Sequence, residues 1–325
     1  MNALIHGAVY AAAILGSVLG FLTIGIWFER RFAGRMQSRI GPNRLGPAGL
    51  LQSIADVVKL LQKEDIIPAN ADAALFTLAP VLAVVFSLGV AAVVPFSRTV
   101  IASDLDVGVM YILAVGGLMV IPTFAAGWGS NNKFALLGGM RAIAQSVSYG
   151  VPLVLAVLVP VILAGTMSVS GIIEWQISHH WFAVWPVIPG LPAFVLYFLA
   201  MLAESNRIPF DIPEAESELV AGVTTEYTGT KFVMFYMAEY AHTTVGSAIG
   251  AALFLGGYDG PFAPGLHWMV AKTLVLFAVV YWIRWSMLRF RSDQLMALCW
   301  KWLTPFGVML VLASAAWVQF APGGR

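Results

Sequence analysis

The sequence predicts an all-α, polytopic membrane helix bundle: about eight transmembrane helices plus one amphipathic helix on the cytoplasmic side. Three observations carry this. Of 325 residues, 59% are hydrophobic and 11% are charged, against the ~25% charged residues of an average soluble chain. Apolar runs long enough to cross a bilayer, roughly 20 residues, recur from one end of the chain to the other. The basic residues gather in alternate connections between those runs. No connection is long enough to fold alone, so residues 1–325 read as a single transmembrane domain.

The first span covers about 3–28. No basic stretch precedes its apolar run, so it reads as a retained span rather than a cleaved signal. Gly16 and Gly20 form a small-residue step that permits close helix contact. The stretch 50–63 is helical but too short and too charged to cross. Leu50, Ile54, Val57, Val58 and Leu61 share one face, and Gln52, Asp56, Lys59 and Lys63 share the other. Such a helix lies along the interface, either as a plain anchor or as one wall of a cavity open to lipid. Further spans follow at about 73–96, 107–128, 142–165, 186–203, 232–255, 266–283 and 303–320. Pro122, Pro152 and Pro160 fall inside spans and predict kinks.

All but three of the 18 Lys and Arg residues follow spans one, three, five and seven. Arg98 and Arg325 lie on the other side, and Lys272 lies inside span seven. The positive-inside rule then puts the odd connections in the cytoplasm and both termini outside.

The single cysteine, Cys299, excludes an internal disulfide and an iron–sulfur cluster, which needs about four thiolates. No dinucleotide or phosphate-binding glycine motif is present. His179 and His180 are adjacent and diverge on a helix, so no metal site is expected. The net charge of +1 does not bear on nucleic acid either way. Electrons for any redox role must come from a partner.

The densest polar feature is a run of acids between spans five and six: Glu204, Asp211, Glu214, Glu216, Glu218 and Glu226, with Arg207 the only base among them. Acids near the membrane are costly and usually hold protons, ions or a ligand. Pro209 and Pro213 stop span five from continuing as helix. Glu214 and Glu218 share a face if a helix restarts there, and like charges at that spacing repel. Ile208, Phe210, Ile212, Leu219 and Val220 make the run too apolar for a freely solvated loop. Desolvated, at least one acid should take up a proton near neutral pH, as a proton store or relay does. Glu239 in span six and Lys272 in span seven are expected to pair, as a relay element or as a structural ion pair.

The residues that make the chain recognisable are Glu29-Arg30-Arg31 through Gly41-Pro42-Asn43-Arg44, Lys63-Glu64-Asp65, Gly127-Trp128, and Arg141-Ala-Ile-Ala-Gln-Ser. Arg207-Ile-Pro-Phe-Asp-Ile-Pro-Glu-Ala-Glu-Ser-Glu-Leu219, Ala238-Glu239-Tyr240, Lys272-Thr273 and Arg289-Phe-Arg-Ser-Asp-Gln-Leu complete the set. Over essentially its whole length the chain resembles the H-subunit family of bacterial NADH–quinone oxidoreductase, respiratory complex I, whose mitochondrial counterpart is NADH dehydrogenase subunit 1. The resemblance implies an inner-membrane subunit with no catalysis of its own. It forms a quinone cavity with soluble partners and adjoins antiporter-like membrane subunits. Quinone is the substrate. Iron–sulfur clusters, FMN and NADH belong to partner subunits, and no nucleic acid is involved. Matching the cavity side are Glu29, Arg30, Arg39, Asp56, Lys59, Arg207, Phe210 and Asp211. Matching the proton relay are Glu204, Glu214, Glu216, Glu218, Glu226 and Glu239, with Lys272 added from span seven. One departure stands out: the family usually has Ser-Tyr-Glu where this chain has Ser148-Tyr149-Gly150, and glycine holds no proton. The alternatives are the homologous subunit of a membrane-bound hydrogenase or other donor-linked complex, and a stand-alone ion or proton transporter.

Overall fold

The computed structural model describes residues 23–182 and 189–320, together with Gly16 and Gly20. Most of the expected first span and the start of the fifth lie outside the described residues, as does the side chain of Glu216. Among the described residues the structure is helical, with no strand.

In chain order the helices are α1 (23–36), α2 (Gln52–Leu61), α3 (Ala73–Ala91), α4 (Gly108–Gly117), α5 (Val120–Gly129) and α6 (Lys133–Ala164). There follow α7 (Val169–Ser178), α8 (Gly190–Glu204), α9 (Glu216–Leu219), α10 (Gly229–Phe254), α11 (Leu266–Ser286), α12 (Ser292–Leu298) and α13 (Thr304–Phe320). Among the described residues, five stretches are long and apolar enough to cross a membrane: α3, α4 with α5, α6, α11, and α12 with α13. α10, with 26 residues, is roughly 39 Å long at 1.5 Å per residue and carries Lys231, Glu239 and His242 among its apolar residues. The chain is a membrane-embedded helical protein.

The spans differ from expectation in four places. The third is two helices meeting at Leu118 and Met119. Pro122 removes the amide that would bond to Leu118, so the break falls one turn before the proline. The fourth begins at Lys133 rather than 142 and runs for 32 residues, through Pro152 and Pro160. Asn132 caps it by accepting from the Phe134 amide at 2.8 Å, and Gly165 at φ 67° ends it. Its charged Arg141 sits comfortably on this extension because it is paired with Glu218. The helix α7 was expected to be connection; Ser168 caps it through the Gly171 amide at 3.2 Å. The eighth span reaches back to Ser292 through a π-helical turn at Cys299–Leu303.

The central helix α6 packs against α5, α8 and α13, while α10 packs against α3, α8 and α11. Close approach needs small residues. A Cβ on Gly246 of α10 would come within 2.8 Å of Met201 on α8, and one on Gly307 of α13 within 2.9 Å of Leu155 on α6. As expected, α2 is a short helix outside the bundle. It rests against α10, buries only Ser53, and leaves Ile54, Val58 and Leu61 exposed.

Candidate functional site: a buried charge network at the basic end

Where α8 stops, at Glu204, the chain turns through Asn206 at φ 50° and drives Arg207 into the protein. Its side chain is 1% exposed. The guanidinium lies over the Tyr240 ring at 4.2 Å and the Tyr281 ring at 5.5 Å. Its Nε meets Glu239 Oε1 at 3.1 Å and donates to Thr243 Oγ1 at 3.4 Å. A second arginine, Arg284 near the end of α11, pairs with Glu29 of α1 at 2.9 Å. Glu29 is itself buried and also accepts a hydrogen bond from the Tyr240 hydroxyl. Glu29, Arg284, Arg207 and Glu239 thus form a largely buried network of alternating charge on α1, α10, α11 and the loop after α8.

Isolated charges in such surroundings cost several kcal/mol, and pairing is what lets them persist. The pairing is incomplete. Arg207 Nη1 and Nη2, Asp211 Oδ1 and the Tyr281 hydroxyl are buried with no hydrogen-bond partner. Buried polar atoms are normally satisfied, so unpartnered ones clustered in one place mark a site that takes water or a ligand, or changes state.

The loop acids divide by environment. Burial, then the Glu239 charge, pushes the Asp211 carboxyl up to about 6; Arg284, Arg289 and Arg207 oppose this. Burial, then Glu239 and Asp211, holds Glu214 well above the usual carboxylate range. Glu218 is different. It is exposed and bridged by Arg141 at 2.5 Å and Arg289 at 2.6 Å. The hydrogen bond from Arg141 is the main reason its carboxyl is held below its ordinary value. The helix restarts only at Glu216, after Ala215 at φ 29°. Glu214 therefore lies outside it, and the expected shared face of Glu214 and Glu218 is not formed.

The other expected residues fall as follows. Arg30 pairs with Asp56, tying α1 to α2, and Gln52 donates to Asp56 at 3.0 Å. Arg39 and Lys59 are exposed. The Phe210 ring is buried and stacks on Phe290 at 5.6 Å. Glu226 accepts from Asn132 Nδ2 at 2.6 Å. Glu204, Glu214 and Glu239 line one cavity of about 60 Å³ together with Asn206 and His242. At Gly150 an added Cβ would meet no atom within 4 Å.

Lys272 does not pair with Glu239. Its ammonium donates to the carbonyls of Leu255, Gly257 (2.9 Å) and Asp259 (2.6 Å), and it lies 3.9 Å from the centre of the Trp181 ring. Leu255 ends α10, roughly 24 Å along the axis from Glu239. The two charges are therefore well separated along the helix pair, and Arg207 takes the place the lysine was expected to fill.

Arg284, Tyr240 and Tyr281 were not singled out from sequence as site residues. Arg284 was counted only for orientation. The available signal was its position at the end of an apolar run, opposite an acid, Glu29, at the end of another. Among the described residues no three His, Cys, Asp or Glu side chains are grouped to hold a metal.

Fold and site together define a polytopic helical membrane protein with a buried acid–base network at its basic end. The NADH dehydrogenase family matches residues 9–315, and the chain belongs to that family. It is 47% identical to the NADH-quinone oxidoreductase H subunit of Anaeromyxobacter dehalogenans, over 93% of this chain and 79% of the relative. It is 46% identical to that of Brevibacillus brevis over 96% and 93%. To that of Rickettsia typhi it is 48% identical over 87% and 86%.

Proposed function

We propose that this chain is the membrane subunit of a proton-pumping NADH–quinone oxidoreductase, complex I, in the inner membrane with both termini periplasmic. It forms the quinone cavity with soluble-arm partners and passes protonation changes to antiporter-like membrane subunits. NADH, FMN and the iron–sulfur clusters act on those partners. The relatives' shared name and the identity over nearly the whole chain support the assignment. The observation that carries the relay is the buried network of Glu29, Arg284, Arg207 and Glu239, with Asp211 and Glu214 beside it poised to hold protons.

Quinone reaches the cavity from the bilayer between α1, α2 and α10. The exposed apolar side chains of α2 suit a lipid-facing wall, and Arg30 with Asp56 braces that wall against α1. Reduction of quinone to quinol consumes two electrons from a partner's cluster and two protons. Removal of those protons changes the charge beside Arg207 and Glu29. Asp211 and Glu214 respond because burial raises their affinity for a proton. The change then passes toward Glu239 and Glu204, which share a cavity with Glu214. Glu218 and Glu226 flank this path, and Glu216 is assigned to it on sequence alone. Lys272 stands at the far end of α10, where its carbonyl partners suit it to fixing that end.

Glu214→Gln keeps the size of the side chain and removes its titration. In the intact complex it should lower quinone reduction coupled to pumping by about tenfold or more while assembly stays normal. Wild-type coupled rates in Glu214→Gln and Glu216→Gln would remove the relay.

A further inference from the structure

The acid cavity leads inward to one residue the relay has not used. His242 lies on α10 one turn beyond Glu239 and is 5% exposed. Neither ring nitrogen has a hydrogen-bond partner. Leaving such groups buried and unpaired is costly, and packing alone does not explain it. Its Nε2 lies 3.6 Å from Glu204 Oε1, at the end of α8. A small rotation or one bridging water closes a gap of that size.

His242 and Glu204 together stand between two cavities. The outer, of about 60 Å³, is the one that holds Asn206, Glu214 and Glu239. The inner, of about 20 Å³, runs toward the middle of the bundle between Leu153, Val157, Tyr197 and Ile249. Each exceeds the roughly 10–15 Å³ that one water requires. Glu204 reaches the inner cavity across a notch in α4: a Cβ on Gly116 would sit 2.8 Å from its Oε1. The other ionisable side chain on the inner cavity is Tyr197, whose hydroxyl already donates to the Gly246 carbonyl at 2.7 Å. The groups facing His242 are therefore Glu204 from α8, Glu214 and Asn206 from the loop, and Glu239 from its own helix. Next to it, Thr243 accepts from Arg207.

We propose that His242 is a proton carrier linking the outer acids to Glu204 and the inner cavity. The proton on Nε2 passes to the Glu204 carboxylate while one from Glu214 arrives at Nδ1, so the ring keeps its charge and changes tautomer. Rotation of the ring or the reverse transfer resets it. Imidazole suits this because it both accepts and donates near neutral pH. The role rests on the relay reading above.

The test uses the intact complex in sealed membrane vesicles, with proton pumping driven by NADH and quinone. His242→Gln fills the same space and can still donate to Glu204, so the complex should assemble in wild-type amounts. Its coupled rate should fall by about tenfold or more. His242→Ala should fall as far and recover in part when free imidazole is added, with a recovery that follows the fraction of neutral imidazole as pH changes. If His242→Gln pumps at the wild-type rate while Glu214→Gln does not, protons bypass His242 and the proposal falls with the relay intact. Wild-type rates in both variants remove the relay and the proposal together. Slow pumping in both His242 variants, with no imidazole rescue and an unaltered pH profile, assigns His242 to packing and also overturns the proposal.

Discussion

Glu214 and Glu218 lie four residues apart in one loop and carry the same side chain, yet their surroundings drive them in opposite directions. Glu214 is turned into the protein, and burial beside Glu239 and Asp211 raises its affinity for a proton. Glu218 is turned outward, and Arg141 and Arg289 hold its charge in place. The first binds a proton more readily than an ordinary carboxyl, and the second ties α6 to the segment before α12 through its two ion pairs. A row of acids in a sequence is therefore not one functional unit. Each member's role depends on which way the backbone turns between them, here at Ala215 with φ 29°.

The variant expected to disturb this arrangement most is Arg207→Met. It leaves Glu239 without its partner in the interior, and breaking a buried pair costs roughly 3–5 kcal/mol. A sharp drop in assembled complex, or in its thermal midpoint, is the expected result; an unchanged midpoint would mean that Glu239 finds another partner or takes a proton. Next comes the contrast itself. Glu218→Gln loses two solvent-exposed ion pairs, worth about 0–1 kcal/mol each. Coupled rates in this variant should stay within about twofold of wild type, against the much larger fall for Glu214→Gln. Equal losses in both would break the distinction between a titrating acid and a clamp.

The smallest effect is in pH dependence. Asp211 has its proton affinity raised in the folded protein, up to about 6 from an ordinary 3.8. An acid shifted upward favours the folded state while it is protonated, so its contribution is full below the ordinary value and is lost as pH rises through about 6. Stability should therefore decline across that window, and Asp211→Asn should flatten the decline. A decline of unchanged size in the variant would assign it to Glu214 instead.

Much of the fold could be read from the sequence because hydrophobic length is a strong signal in a membrane chain. The positions of α3, α11 and α13 follow from it directly, and the short helix α2 follows from its two-faced pattern. What it missed has local causes. Arg141 looked like the edge of a span, but an arginine paired with Glu218 tolerates a helix extended past it. The helix α7 is too short and too mixed in polarity to announce itself. The site was legible as a set of acids but not as a network. Pairing between distant segments, such as Glu29 with Arg284, depends on helix packing that spacing along one chain does not encode. The same holds for Lys272, whose partners are main-chain carbonyls and leave no trace in side-chain composition.

The π-helical turn at Cys299–Leu303 has a consequence for how the last span faces its neighbours. The inward residues are Leu295 before it, Cys299 at its start, and Gly307, Leu310 and Ser314 after it. In an unbroken α-helix the step from Cys299 to Gly307 leaves the two rows about 80° out of line, whereas one surplus residue brings them within about 20°. Deleting one residue there would keep the rows aligned, whereas winding all of them as ordinary α-helix would turn the remainder of the helix by about 100°. Gly307 would swing away from Leu155, a bulkier neighbour would be forced into its place, and the seam with α6 would open.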